Sequence, residues 1–244
     1  MKVLVFGGTT EGRLLARELS ALGAQVTVSV ATALGAEELR GVPPLTVCVG
    51  RKDTRQMREM LLGFAVCVDA THPYAAEASG NIRAACLAAG VPYRRLLRGA
   101  SALPPDSGVV PDAPAAARWL AGTQGNILLA TGAKELAAFA GLDAERLYPR
   151  VLPTVAGITA CEGAGIPHRN IIAMQGPFTL ELNLALMQQF HIRYLVTKDG
   201  GSAGGFAEKA QAAAQSGAAL VVLRRPEECG ETAEEILQRC RELL

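Results

Sequence analysis

The sequence predicts an α/β fold of two domains, each built on a parallel sheet, and three observations support this. Aliphatic residues are abundant while aromatic residues make up only 5% of the 244 residues, which suits strands that are buried on both faces. Apolar runs and helical patterns alternate along the chain, as they do in parallel α/β layers. Residues 98–114 are rich in Pro, Gly and Ser, and we interpret them as a linker between domains over residues 1–100 and 115–244.

The order of apolar and helical segments predicts which residues form the two sheets. Strands are expected near residues 2–6, 25–30, 45–49, 65–69 and 93–97 of the first domain, and near 126–131, 146–150, 170–174, 194–197 and 219–223 of the second. Helices are expected near 11–22, 53–62 and 74–89, then near 113–121, 134–140, 154–164, 178–189, 205–216 and 231–243. Ligands of parallel sheets bind at the carboxyl ends of the strands. Two such domains facing each other therefore predict an active site in the cleft between them.

Charge and hydropathy exclude two classes of function. The net charge of +1 argues against a general nucleic-acid binder. No apolar stretch reaches the roughly 18–20 residues that cross a bilayer, and the opening MKVLVFGG fits a first strand better than a signal peptide. We therefore expect a cytoplasmic protein with no membrane partner, present as a monomer or a weak homo-oligomer.

The cysteines predict free thiols rather than disulfides or a metal site. No two of them form a C-x-x-C pair, and no His stands at zinc-ligand spacing from any of them. Most lie in apolar segments, which indicates buried thiols in a reducing cytosol. The six are Cys48, Cys67, Cys86, Cys161, Cys229 and Cys240. No metal site is expected.

The stretch VLVFGGTTEGRLLA, residues 3–16, has the strand, glycine turn and helix of a dinucleotide phosphate loop. Gly7 and Gly12 occupy the first and third glycine positions of G-x-G-x-x-G, but Thr9 occupies the second, where its Cβ approaches the pyrophosphate and its hydroxyl offers a contact. Arg13 could neutralise the anion from the first helical turn. A tight turn with no ligand is the alternative. The candidate cofactor contacts here are Gly7, Gly8, Thr9, Thr10, Glu11, Gly12 and Arg13.

The end of the second strand bears on which dinucleotide would bind. An NAD-preferring site usually carries Asp or Glu there, bonded to the ribose 2′-OH. VTVSVATALG offers Ser29 and Thr32 as cofactor contacts and no carboxylate. Nothing at this position would repel a 2′-phosphate, so NADPH is permitted, with NADH as the alternative.

A third junction, VDATHPYAAEASGNIRAAC at residues 68–86, places His72 beside the predicted loop. Pro73 suits the first position of a helix, which puts His72 at the helix N-terminus, where the dipole favours neutral imidazole. A helix cap is the alternative to a ligand-facing role. Thr71 is a candidate cofactor contact, whereas Tyr74, with Ser79 and Arg83 on one helix face, would contact the substrate.

Basic residues are concentrated in one part of the first domain. From Ala78 to Pro105 there is no acidic residue, yet four arginines fall there, which indicates an anionic small-molecule ligand. Arginines scattered over a solvated face are the alternative. The four are Arg83, Arg94, Arg95 and Arg98.

Three further strand-to-helix turns occur in the second domain. LLATGAKELAAF brings Lys134 to a helix start, and IIAMQGPFTLELN turns at Gly176-Pro177 beside Gln175. In YLVTKDGGSAGGFAEKA a strand ends in Lys198-Asp199 before a loop with four glycines, whose bare backbone admits close approach of a ligand. It is not a Walker A loop, because no Lys-Ser/Thr follows the last glycine. Gly201, Gly204 and Gly205 are candidate cofactor contacts.

Taken together, these stretches resemble the precorrin-6A reductase family of cobalamin biosynthesis. The matching segments run in the expected order from residue 7 to 209 and are GGTTEGRLLA, SVAT, DATHPYA with SGN, YRRLLR, TGAK, RVLPT, AMQGPF and VTKDGGSAGGFAEK. Two positions depart from the family pattern. Gly99 stands where a proline is expected after YRRLLR, and Gly200 stands where a serine is expected, which removes a hydroxyl contact from that loop.

The resemblance implies two Rossmann-like domains with the active site between them, and reduction of a macrocycle double bond in precorrin-6A or its cobalt complex. A nicotinamide cofactor, NADPH or NADH, would supply the hydride. The basic residues independently suit an anionic tetrapyrrole with many carboxylates. A proton must also reach the neighbouring carbon, from Lys198, His72 or water. The expected substrate contacts are Tyr74, Ser79, Arg83, Arg94, Arg95, Arg98, Lys134, Gln175, Lys198 and Asp199.

Two other functions are compatible with glycine loops on α/β sheets. One is an S-adenosylmethionine-dependent methyltransferase, and the other is a non-catalytic dinucleotide sensor. Titration of S-adenosylmethionine against NADPH separates the first from a reductase, and turnover separates the second.

Overall fold

The computed structural model describes residues 1–39, 41, 45–99, 101–201 and 204–243. Its chain forms two compact units, one of Met1–Arg98 with Pro226–Leu244 and one of Gly99–Arg225. Each unit is an α/β layer with a parallel sheet, as the sequence predicts. The expected second domain over 115–244 differs from these units at both ends, and the cleft expected between two domains stays a prediction.

The first unit is a five-stranded parallel sheet in the order β3-β2-β1-β4-β5, counted over the described residues. Its central strands are mostly buried on both faces, because apolar residues make up most of them. The strands are β1 (Lys2–Phe6), β2 (Gln25–Val30), β3 (Thr46–Val49), β4 (Val66–Asp69) and β5 (Tyr93–Arg95), joined by α1 (Thr10–Ala21), α2 (Ala33–Glu37), α3 (Thr54–Leu61) and α4 (Ala76–Ala89). All agree with the prediction within a few residues except α2, which was not predicted.

The second unit, over its described residues, is a six-stranded parallel sheet in the order β6-β11-β10-β7-β8-β9. The strands are β6 (Gly108–Val110), β7 (Asn126–Ala130), β8 (Leu147–Val151), β9 (Ile172–Ala173), β10 (Ile192–Lys198) and β11 (Ala219–Leu223). The helices are α5 (Ala113–Ala121), α6 (Val155–Gly163), α7 (Leu180–Gln189) and α8 (Phe206–Ser216), with 3₁₀ helices at Ala133–Phe139, Ala144–Arg146 and His168–Asn170.

The expected linker over 98–114 is wrong in its second half. Strand β6 lies inside it and pairs in parallel with β11, from Gly108 opposite Val221 to Val110 opposite Leu223. Three residues of strand leave too short a period-2 pattern to stand out in a Pro- and Gly-rich stretch. The structure therefore places this segment in the second sheet.

The C-terminal segment was predicted to belong to the second domain, but residues Pro226–Leu244 belong to the first unit. Helix α9 (Ala233–Arg241) begins at a capping box made by Thr232 and Glu235, and its apolar face lies in the core formed by β1, β2 and α1. The buried residues of that face are Ile236, Leu237 and Cys240. Before the helix, the Glu231 N–H donates to the carbonyl oxygen of Arg95, the last residue of β5, and the Leu97 N–H donates to the carbonyl oxygen of Glu231.

The cysteines are free thiols, as expected. Cys67, Cys86, Cys161 and Cys240 are buried, while Cys48 is half-buried and Cys229 is exposed. Within the described ranges, no helix is long and apolar enough to cross a membrane.

Candidate functional site

The loop between β1 and α1 is a glycine turn that leads directly into the N-terminus of α1. Gly8 has a φ of +113°, a conformation that favours glycine. A Cβ on Gly12 would lie 2.8 Å from the Cβ of Ala70, so this glycine lets α1 pack closely against the end of β4, as the sequence predicts. The backbone N–H groups of Thr10 and Glu11, in the first turn of α1, have no acceptor within the helix. The loop therefore presents donors and the positive end of a helix dipole at the carboxyl edge of the sheet.

The Thr9 hydroxyl is engaged within the protein rather than offered to a ligand. Thr9 caps α1: its Oγ1 accepts the Gly12 N–H at 3.1 Å and donates to the carbonyl oxygen of Ala70 at 2.9 Å. The side chain is buried. The hydroxyl contact expected for Thr9 is thus corrected to a tie between α1 and the segment that follows β4.

The charged side chains at the start of α1 are paired with other residues of the first unit. Glu11 forms an ion pair with Arg98 at 2.9 Å. Arg13 donates to the carbonyl oxygen of Glu38 at 3.3 Å and lies 3.8 Å from its carboxylate, with about a third of the Arg13 side chain exposed. Arg13 would have to exchange this exposed partner in order to neutralise a bound anion.

The end of β2 carries no carboxylate, as noted from the sequence. Ser29 is buried in β2, and its carbonyl oxygen accepts the Gly7 N–H at 2.9 Å. Thr32 is exposed and caps α2 by accepting the Gly35 N–H at 3.2 Å. Both residues thus shape the edge of the β1–α1 loop, and their role toward a cofactor stays a prediction.

A buried network centred on Asp69, at the end of β4, was missed by the sequence reasoning. Asp69 Oδ1 accepts the Thr71 N–H at 3.0 Å, the Thr71 hydroxyl at 2.7 Å and Arg95 Nη1 at 2.7 Å. Its Oδ2 accepts the Tyr93 hydroxyl at 2.8 Å. Burial, together with the negative charge of Asp69, raises the pKa of the Tyr93 phenol, which therefore stays a donor. A carboxylate as the last residue of an apolar strand was the signal in the sequence.

The C-terminal segment completes this network through Glu228. Arg95 Nη2 and Nε donate to Glu228 Oε1 at 2.5 and 3.0 Å. The Arg95 side chain is only 3% exposed and forms ion pairs with both Asp69 and Glu228. Two carboxylates of the first unit therefore neutralise its charge. Arg95 Nη1 also donates to the Thr71 hydroxyl at 3.0 Å, so the buried guanidinium holds the Thr71 loop, and the substrate contact expected for Arg95 is not supported.

His72 lies in a turn rather than at a helix N-terminus. Helix α4 begins at Ala76, and Pro73 and Tyr74 form a turn closed by the Ala75 N–H donating to the His72 carbonyl oxygen at 2.8 Å. His72 Nδ1 accepts the Tyr74 N–H at 3.3 Å, which places the proton of the neutral ring on Nε2. The helix dipole that was expected to favour neutral imidazole does not act directly on His72, because α4 begins only at Ala76.

The arginine-rich stretch does not form the expected basic patch. Arg94 pairs with Glu231 at 2.8 Å, Arg98 pairs with Glu11, and Arg95 is buried between two acids. The neutralising carboxylates come from segments far away in the sequence. Arg83 is exposed, with its guanidinium 5.4 Å from the centre of the Tyr93 ring, and Ser79 lies 3.2 Å from the Thr71 hydroxyl.

Lys198 ends β10 at the carboxyl edge of the second sheet, as predicted. Its Nζ donates to Glu135 Oε1 at 2.7 Å, and Glu135 lies on the 3₁₀ helix Ala133–Phe139, where an α-helix was expected. Lys134, on the same short helix, is exposed, and so is Gln175. Lys198 is therefore held by a carboxylate at a fixed place.

The glycine loop after β10 is tied down by Asp199. This buried carboxylate accepts the Gly201 N–H at 3.1 Å and the Ser101 N–H at 3.3 Å. Gly201 and Gly205 have φ values of +70° and +62°, and the Gly204 N–H donates to the Gly201 carbonyl oxygen at 3.1 Å. Asp199 thus fixes its own loop, which differs from the substrate contact expected for it; residues 202 and 203 lie outside the described ranges.

Two buried cations of the second unit, Arg150 and Lys209, were also missed, because a basic residue inside a strand or helix pattern gives no local signal of burial.

No group of three or more His, Cys, Asp or Glu side chains that could hold a metal ion occurs among the described residues. Chemically, these residues provide a helix N-terminus that can bind an anion, one histidine with an assigned tautomer and one ammonium group held by a carboxylate.

Comparison with known proteins identifies related sequences and a related structure. The sequence matches the family described as Precorrin-6x reductase CbiJ/CobK over residues 2–241. It is 35% identical to the cobalt-precorrin-6A reductase of Priestia megaterium, covering 92% of this chain and 90% of that protein, and 30% identical to the precorrin-6A reductase of Rhodobacter capsulatus, covering 92% and 88%. A solved structure described as CobK precorrin-6A reductase matches with a TM-score of 0.80 and 27% identity, over 99% of this chain and 97% of that one.

Proposed function

The chain belongs to the precorrin-6x reductase CbiJ/CobK family, and on that premise we propose that it reduces a macrocycle double bond of precorrin-6A or cobalt-precorrin-6A in cobalamin biosynthesis, with NADPH or NADH as the hydride donor. The observation that carries the cofactor part of the proposal is the β1–α1 loop. It has the donors, the helix dipole and the close glycine packing that a dinucleotide pyrophosphate requires.

The residues of the loop fit such a group. The N–H groups of Thr10 and Glu11 would bind the pyrophosphate, and Gly8 leaves open space where a side chain would stand. Thr9 and Gly12 would act indirectly, by holding α1 against the Ala70 backbone. The absence of a carboxylate in VTVSVATALG permits NADPH as well as NADH, because no acidic side chain in that stretch would repel a 2′-phosphate.

When bound, the nicotinamide supplies the hydride, so the chain needs no nucleophile of its own. Its residues must align the reacting atoms, at roughly 3–3.5 Å, and provide a proton. His72 Nδ1 accepts the Tyr74 N–H, which leaves Nε2 as the ring nitrogen that could pass a proton to the substrate, and Lys198 Nζ is held by Glu135. These two remain the candidate proton donors, with water as the third.

Substrate carboxylates would be bound by cations that the fold leaves accessible. Arg83 and Lys134 are exposed, whereas Arg94 and Arg98 are paired within the protein and would have to exchange an acid for the substrate. We therefore weight Arg83 and Lys134 above Arg94 and Arg98 as substrate contacts, with Tyr74, Ser79 and Gln175 as neutral ones. The reductase family leaves the methyltransferase and sensor alternatives without support.

The experiment that tests the proposal is a stoichiometric turnover assay. NADPH is incubated with the purified protein, with and without precorrin-6A or cobalt-precorrin-6A, and its absorbance is followed. We expect one NADPH to be oxidised per macrocycle reduced, and no oxidation without the tetrapyrrole. Binding of both compounds without any loss of NADPH absorbance would reject the proposed reaction.

A further inference from the structure

The second unit contains two buried cations that the proposed function does not use. Arg150 and Lys209 are only 7% and 8% exposed. Arg150 lies near the carboxyl end of β8, and Lys209 lies in the first turn of α8. The flanking residue Val151 belongs to the core on the α5–α6 side of the sheet, so Arg150 faces the opposite side, where α7 and α8 pack. Lys198, paired with Glu135, faces the α5–α6 side.

Among the residues that the structure describes, no carboxylate forms a direct ion pair with the guanidinium of Arg150, which is oriented by other contacts. It stacks on Phe178, with 4.0 Å from its central carbon to the ring centre, and its Nη1 donates to Asn183 Oδ1 at 2.8 Å. Asn183 is itself fixed, because its Nδ2 donates to the carbonyl oxygens of Phe178 and Thr179 at 3.3 and 2.7 Å. The forked donor group is thus held by neutral partners. Burial lowers the pKa of Arg150 to about 10.

Lys209 has even fewer partners than Arg150. Within the described ranges its Nζ makes no hydrogen bond, and it lies at the positive end of the α8 dipole, where a cation is disfavoured. Burial, followed by the charge of Arg150, lowers the pKa of Lys209 to about 8. Glu208 and Asp199 act in the opposite direction, but Asp199 already accepts two backbone N–H groups.

We propose that Arg150 and Lys209 form an oxyanion subsite of the second unit that binds one carboxylate of the tetrapyrrole substrate. This rests on the proposed function. A planar fork presented by a stacked guanidinium binds a carboxylate through two parallel bonds, and a neighbouring ammonium adds a third donor. The position at the carboxyl ends of the strands, beside the start of α8, is where parallel sheets bind ligands.

A phosphate of the dinucleotide is the other oxyanion that could bind here, and separate titrations distinguish the two. Dissociation constants for the tetrapyrrole and for NADPH are measured on wild type, Arg150→Met, Lys209→Met and the control Arg146→Met. Arg146 precedes the other end of β8 and donates to Gly125 and Thr123. We expect the first two variants to bind the tetrapyrrole roughly 10–100-fold more weakly, with NADPH affinity and the control within about twofold of wild type.

Proton uptake supplies a readout that a structural role would not move. A bound carboxylate restores the pKa of Lys209 toward its ordinary value, so tetrapyrrole binding above pH 8 should take up a proton in wild type and not in Lys209→Met. Calorimetry in buffers of different ionisation enthalpy measures this. Circular dichroism checks that each variant is folded. If Arg150→Met is not folded, Arg150→Lys replaces it, since this variant keeps the charge but loses the forked donor group. We expect Arg150→Lys to bind the tetrapyrrole about tenfold more weakly than wild type.

Weaker NADPH binding with unchanged tetrapyrrole affinity would overturn the carboxylate assignment, and unchanged affinity for both in folded variants would overturn the subsite. Because these are binding measurements, they remain informative if wild type binds both compounds but does not turn over. That result would reject the reaction and leave the subsite standing.

Discussion

Replacing Arg95 by methionine tests the buried network that fixes the Thr71 loop. The guanidinium of Arg95 is 3% exposed and bonds Asp69 at 2.7 Å and Glu228 at 2.5 Å, while the Asp69 side chain is fully buried. Removing the cation leaves a buried carboxylate without its charged partner, which costs about 3–5 kcal/mol when a buried pair is broken. The Asp69 oxygens keep three other donors, so we expect the lower end of that range.

The neighbouring Arg94 provides the matched control. It pairs with Glu231 at 2.8 Å, but its side chain is 32% exposed, and Glu231 keeps a second partner in Arg239 at 2.9 Å. Arg94→Met should therefore cost no more than about 1 kcal/mol. Urea unfolding followed by circular dichroism measures both variants, and hydrogen exchange of the β4 amides locates the loss in the first unit. Equal destabilisation by the two substitutions would refute the reasoning, because burial would then make no difference.

Two further predictions concern the same unit. Gly12→Val should weaken NADPH binding at least about tenfold and tetrapyrrole binding much less, because the new side chain meets Ala70 and displaces the start of α1. The control is Gly80→Val in α4, because a Cβ at Gly80 would meet open space. Calorimetry measures the affinity of each variant for each ligand. Equal weakening of both ligands by Gly12→Val would contradict the prediction. Truncation after Arg225 should unfold the first unit, since it removes the buried face of α9 and Glu228. Native hydrogen-exchange protection of β1 in the truncated chain would be the contrary result.

Local patterns predicted most of the elements but failed where a competing local signal was present. Proline at 73 indicated a helix start, yet the chain forms a turn there and α4 begins at Ala76. The Pro- and Gly-rich stretch at 98–114 concealed β6, which pairs only because β11 brings an edge to it. The tertiary pairing with β11 decided the second case, whereas the first is a local turn closed by the Ala75 N–H and the His72 carbonyl oxygen.

The layered α/β class, the glycine loop at α1 and the position of Lys198 at a strand end could all be predicted from local patterns, because alternating buried elements and glycine turns leave periodic signals in the sequence. Which charged side chains are paired within the protein could be seen only in the folded chain. Arg95 looked like part of a basic patch, but Asp69 and Glu228 meet it from 26 and 133 residues away, and no local pattern encodes such pairing. Ionic partners depend on which distant segments the fold brings together, and here the C-terminal segment packs with the rest of the first unit.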